Sequence, residues 1–236
     1  MFKRLGITLV LFAGLLVLAD RGLATVSGNA AADQIKLHEG LREDPDVTFR
    51  GFPFTTQAVR GKFANVDITI RDLERGGLTI DRIDAHLEDV RIDFGDVLKG
   101  RVHAVPVERG EATARVTYGD LGTFLSSKPG NIRLVVREGE VFVVSTFGIP
   151  GVGPTDVEGR PTVRFTETSV RVVVSDVQVV GGTRTLSVAL AAQAAARASF
   201  TIPFDELPFG IEVESARLTP TALVVEAAAS GFVVGV

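Results

Sequence analysis

The sequence contains no cysteine and no tryptophan, and only one methionine and one tyrosine, Tyr118, among its 236 residues. Without cysteine there are no disulfides, no thiolate metal ligands and no thiol nucleophiles. A large charge of one sign is also missing: 25 Lys and Arg stand against 29 Asp and Glu, a formal net charge of −4. That balance argues against nucleic acid as a partner, because such binding calls for clustered Lys and Arg to displace counterions. The scarcity of Tyr and Trp removes the residues that most often anchor binding surfaces with one wet and one apolar side. What is abundant is apolar. Hydrophobic residues make up 45%, with 15 Phe and a preponderance of Val, a β-forming mixture in a chain long enough to bury a sizeable core.

Lys3 and Arg4 precede an uncharged run from Leu5 to Ala19, which Asp20 and Arg21 close. As a helix that run rises about 22 Å, short of the roughly 30 Å hydrocarbon core of a bilayer. A short apolar stretch after a basic start is the pattern of a signal peptide or signal anchor over residues 1–24. Small residues offer cleavage sites at Val17-Leu18-Ala19 and Gly22-Leu23-Ala24, and both cleavage and retention stay open at this level. The basic start stays cytoplasmic. The expectation is therefore export of the remaining chain to the cell envelope, on the periplasmic side of the membrane, with the N-terminal segment as an optional anchor.

Residues 25–236 read as a single β-rich domain. Val26, Ala30, Ala31, Ile35 and Leu37 fall near helical spacing, and Gly40 and Pro45 end that helix. After Pro45 the period changes to 2. Val66, Ile68 and Ile70 alternate with Asp67, Thr69 and Arg71, the pattern of a half-buried strand. The alternation then slips in phase at Ile83, Ala85 and Leu87, and again at Val90, Ile92 and Phe94, which predicts β-bulges or bends. Glu138-Gly139 marks a hairpin, Gly119–Ser127 a short helix, Gly148–Pro161 a loop, and Ala189–Ala198 a helix or strand with close packing. The fold class expected is α+β and mostly β: a strongly curved antiparallel sheet or tube with an N-terminal helix and short helices.

Catalytic patterns are mostly missing. His38, His86 and His103 show no H-x-H or H-E-x-x-H spacing, so no metal site is expected. There is no G-x-S-x-G elbow and no S-x-x-K. Gly148–Pro154 is glycine-rich, but two prolines remove N–H donors and no G-K-[ST] motif comes after it. Asp81, Asp84, Glu88, Asp89, Asp93 and Asp96 are interleaved with Arg82 and Arg91, the look of a solvated strand face rather than a calcium loop. No cofactor, no metal and no catalytic residue is assigned, and an enzyme is not expected.

One stretch is more specific. Val47-x-Phe49-x-Gly51-Phe52-Pro53-Phe54 is followed by Gln57, then by Gly61-x-Phe63-x-x-Val66-x-Ile68, and far downstream by Leu207-Pro208-Phe209-Gly210-Ile211 and Ser215-Ala216-Arg217-Leu218. Pro53 fixes φ and supplies no ladder donor, so it belongs at a corner, with Phe52 and Phe54 expected to grip that corner into the core. Together with the leader and the helix behind it, this order resembles the LmeA-like family of actinobacterial cell-envelope phospholipid-binding proteins, over nearly the whole exported chain. The resemblance implies a curved sheet wrapped with helices around an apolar cavity. It also implies binding of phospholipid, with no catalytic residues to carry over.

A sheet with apolar residues facing inward can fill its interior with side chains or leave room for acyl chains. Each possibility gives a reading. The first is an exported or membrane-tethered protein that binds phospholipid or a glycolipid precursor, tubular lipid-binding-like in fold. The second is a structural or adaptor module of the envelope, with a solid core and a protein partner. Candidate lipid-contacting residues are Phe52, Phe54, Phe63, Val66, Ile68 and Ile70, with Phe200, Phe204 and Phe209 from the far segment. Phe142, Phe147 and Ile149 are candidates for a mouth beside the Gly- and Pro-rich loop.

Overall fold

A computed structural model of the chain describes residues 2–93, 95–96, 104–128, 130–166, 169–181, 186–203 and 212–235. The strands form two antiparallel sheets, one of six strands and one of five, neither closed into a barrel. The expected mostly-β α+β class holds, built on open sheets rather than a closed tube. The elements gather into two compact units. Unit 1 takes residues 1–71, 83–112 and 228–236, and unit 2 takes residues 72–82 and 113–227.

Unit 1 begins with α1, which runs without a break from Phe2 to Glu39. The leader and the helix read from Val26 onward are thus one helix. Gly40, at φ 63°, ends it, and the Leu41 N–H turns back to the Lys36 carbonyl at 3.0 Å, closing the last turn as a Schellman motif. β1 (Asp46–Arg50) pairs antiparallel with β2 (Lys62–Arg75), setting Val47 opposite Ile68 and Phe49 opposite Val66. Between them lies α2 (Phe54–Arg60). The remaining parts of unit 1 come from β3 (Leu78–Arg91), β4 (Ala104–Thr117) and β11 (Ala222–Gly235). Ala24, Phe49, Phe54, Phe63, Val66, Val90, Val105 and Val107 form its core. α1 comes so close to β1 that a Cβ on Gly28 would lie 2.3 Å from the Val47 carbonyl oxygen.

Unit 2 holds α3 (Tyr118–Ser126), capped by Thr117, whose side chain accepts from the Asp120 N–H. It also holds β5 (Arg133–Arg137), β6 (Glu140–Ile149), β7 (Gly153–Thr166), β8 (Ser169–Val179), α4 (Val188–Ala198), β9 (Phe200–Pro203) and β10 (Glu212–Leu218). The Ala-rich stretch is the helix α4, and its small Ala194 and Ala198 are buried. Glu138 and Gly139 both have positive φ (54° and 83°), the combination that a two-residue hairpin of matching twist needs. β7 and β8 are joined through a bulge at Asp176: pairing runs from Arg160↔Ser175 to Glu158↔Gln178, leaving Gly159 facing two residues, and Asp176 has φ 51°.

The loop expected over Gly148–Pro161 is confined to a tight turn. β6 continues to Ile149 and β7 begins at Gly153, with Gly151 and Gly153 at positive φ. The φ that proline fixes also suits extended chain, so Pro154 and Pro161 sit inside a strand, paired with Gly148 and Val174.

Candidate functional site

The β1–β2 register explains the site's floor. Side chains alternate along a strand, so Val47 and Phe49 share a face with their partners Ile68 and Val66. α1 adds Ala31, Gln34 and Ile35, at the i, i+3, i+4 spacing that puts them on one side of a helix. β3 and the residue after it add Leu87, Val90 and Ile92, β4 adds Val105, and β11 adds Val234. These residues line a partly open cavity of about 110 Å³ in which Gln34 is the only polar side chain. Among the described residues no buried side-chain nitrogen or oxygen lacks a hydrogen-bond partner. The cavity therefore suits hydrocarbon, and it offers a polar ligand almost nothing.

A second hollow in unit 1 is an open cleft of about 460 Å³, lined by Leu23 of α1, by Phe54, Thr55, Ala58, Val59 and Arg60 of α2, and by Gly61, Asp93 and Gly95. Three rings relate it to the cavity. Phe54 lines the cleft and Phe49 lines the cavity. Their centroids are 5.6 Å apart, and Phe63 lies 4.7 Å from Phe49 and 5.8 Å from Phe54. Ligand sites usually offer about 300–1,000 Å³, so the cleft is large enough by itself and the cavity is not.

Asp20 of α1 fixes the cleft wall. Its carboxylate accepts the Phe54 N–H at 2.9 Å, the Thr55 N–H at 2.8 Å and the Thr55 hydroxyl at 2.9 Å. These N–H groups open α2, whose N-cap residue, Pro53, makes no side-chain cap. Burial pushes the Asp20 carboxyl upward, but the Thr55 and Phe54 donors and neighbouring Arg21 outweigh it and hold it below the usual carboxylate range. On the opposite, polar face of β2, Asp67 is treated likewise. Desolvation raises it, while His86, whose Nδ1 is 2.5 Å from Oδ1, and Arg50 Nε lower it further.

The acidic residues noted in the sequence are spread out, and three of them are matched by a side chain on a neighbouring strand. Asp84 accepts from Thr69, Glu88 pairs with Arg109 at 2.9 Å, and Asp89 pairs with Lys62 at 2.9 Å. Among the described residues no group of three or more His, Asp or Glu is placed to hold a metal. His38 is exposed near the end of α1, and His103 lies outside the described residues.

The sequence-predicted contacts divide. Val66 and Ile68 line the cavity, while Phe54 and Phe63 are fully buried in the same core. Ile70 is half-buried on β2. Phe52 does not enter the core: it is 61% exposed, with the Arg21 guanidinium 5.4 Å from its ring. Phe142, Phe147, Ile149 and Phe200 belong to unit 2. There Phe147 packs with Val157, Ala194 and Ile149, Phe200 joins the larger core, and Phe142 has the Arg137 and Arg160 guanidiniums 6.0 and 5.9 Å from its ring centroid. Phe204 and Phe209 lie outside the described residues. The α1 contribution was missed because Ala31, Gln34 and Ile35 look like a weak amphipathic face when no strand is known to lie beneath. Phe49 stood within the quoted motif and was passed over.

Comparison with known proteins adds one match. A family model described as LmeA-like phospholipid-binding matches residues 18–228. No curated protein and no solved structure matches the chain.

Proposed function

The chain belongs to the LmeA-like phospholipid-binding family, and on that premise we propose that unit 1 holds the lipid, with an acyl chain end in the cavity under α1. The observation that carries this reading is the cavity wall, apolar except for Gln34. A cavity of about 150 Å³ admits benzene, so 110 Å³ takes a short terminal stretch of hydrocarbon. Each methylene withdrawn from water contributes about 0.8 kcal/mol. The rest of the lipid then occupies the cleft, with Phe54 shifting to join the two spaces and Arg60 available to an anionic headgroup. The role is to bind and present phospholipid, or a related glycolipid precursor, without transforming it. The basic start and apolar run at the N-terminus support a location in the cell envelope, outside the cytoplasmic membrane.

Native mass spectrometry of the detergent-purified chain, with exchange of a fluorescent phospholipid, tests this. Wild type is expected to carry and exchange lipid. Ala31→Phe sets a ring into the cavity, and it is expected to stay folded and to lose exchange. Lipid-free wild type without exchange would sink the reading, as would full exchange by Ala31→Phe.

A further inference from the structure

Both predicted cleavage sites, after Ala19 and after Ala24, fall inside α1, which is helical from Phe2 to Glu39. From Asp20 onward the helix is also part of unit 1. Asp20 is only 5% exposed and supplies the cap that α2 lacks, from 34 residues upstream of Phe54. The Arg21 guanidinium donates to the Gly51 carbonyl at 2.5 Å. Ala24 is buried with the three rings, Ser27 is 2% exposed, and Gly28 meets Val47.

Cutting after Ala24 would remove the α2 cap, the Arg21 contact and a core residue. Cutting after Ala19 would leave Asp20 as the first residue of a new terminus. The first turn of a helix lacks intrahelical partners for its N–H groups and frays, and the cap would sit in that turn.

Upstream of Asp20 the helix changes character. Ala13 to Ala19 are all exposed, including Leu15 at 62%, Leu16 at 55% and Leu18 at 71%. A helix that is apolar all round requires apolar surroundings. The charges say what kind. The run carries none from Leu5 to Ala19, with Lys3 and Arg4 before it, while at its other end Arg21 is paired with Asp20 at 3.3 Å, so the net cationic margin is the N-terminal one. A cationic margin of this kind favours anionic headgroups. No helix among the described residues is long and apolar enough to cross a membrane, so the fit is to a short helix seated in lipid.

We propose that α1 is retained uncut and that its apolar first half seats the protein in an anionic lipid bilayer, with Asp20 joining this anchor to the folded unit. The inference goes beyond the cavity reading and does not depend on it. The experiment is to express the full chain in an exporting bacterial host, wash its membranes with alkaline carbonate, and measure the intact mass. The expected result is the uncut chain, released only by detergent. A mass lacking residues 1–19 or 1–24 would overturn retention, and an uncut chain released by carbonate would overturn the lipid seat. Flotation of the purified full chain with phosphatidylcholine–phosphatidylglycerol vesicles adds a second measurement. Leu15→Glu combined with Leu18→Glu is expected to lower vesicle partitioning at least about tenfold, and unchanged flotation would refute the proposal. Failure of phospholipid exchange leaves the mass result untouched, so the two readings fail separately.

Discussion

Tyr118 donates its hydroxyl to the Thr219 carbonyl, and burial pushes its pKa up to about 12. Against an unfolded value near 10, the neutral phenol contributes stability in full below about pH 10, and this is lost as pH rises toward 12. Because the chain has one Tyr and no Trp, tyrosinate absorbance reports this group alone. The expected midpoint is near pH 12 while the protein is folded. Tyr118→Phe is expected to cost about 1 kcal/mol and to remove the alkaline slope seen in thermal melts. Glu226 shows the acid counterpart. Hydrogen bonds from Arg217 and Ser215 draw it down to about 2. Its contribution is complete above the ordinary value of about 4.5 and disappears as pH falls toward 2. Glu226→Gln should flatten that part of an acid-denaturation curve, by a small amount because the pair is exposed to solvent. At this scale the sequence was half legible. Pro53 marked a corner, but nothing local said that Phe54 would turn inward and Phe52 outward under Arg21. Asp20 looked like the end of a leader because its partners are more than thirty residues away.

The contact of α1 with β1 makes an element-scale prediction in which two effects oppose. Helix propensity favours Gly28→Ala by about 1 kcal/mol. The close approach forbids it, since the new Cβ would lie 2.3 Å from the Val47 carbonyl oxygen, a backbone atom. Relieving such a clash costs roughly 1–3 kcal/mol or more, so Gly28→Ala is expected to lower the thermal midpoint. Gly22→Ala, with nothing within 4 Å, is the control that should not. Strands were legible wherever alternation was clean. The bulge at Asp176 was not singled out, although Val170, Val172 and Val174 keep one parity and Val177 and Val179 take the other around it. Gly and Pro misled between Gly148 and Pro161, because they are compatible with extended chain as well as with loops. α1 misled in another way. A charge pair at Asp20-Arg21 reads as a boundary in sequence, yet in the structure it is where one continuous helix meets the folded unit.

For the molecule as a whole, ligand binding should appear as stability. A ligand at a hundredfold its Kd stabilises the state it binds by about 2.7 kcal/mol, so phospholipid is expected to raise the melting transition of wild type and leave that of Ala31→Phe in place. Scanning calorimetry with and without lipid checks this. The abundance of Val and Phe announced apolar interiors, and the corner motif announced the family. Neither disclosed where a space would be left unfilled, because that depends on how α1 lies over paired strands and not on any one segment. The division into units carries a genetic consequence. Unit 1 is assembled from three separate stretches of chain and unit 2 from two, so no continuous piece of the gene encodes either. Recombination with its crossover anywhere between residues 72 and 227 would exchange fragments of both units at once. Exchange of any segment bounded inside residues 72–227 therefore mixes parts of two folded units, so substitution within the chain changes binding with less disruption than shuffling of its parts.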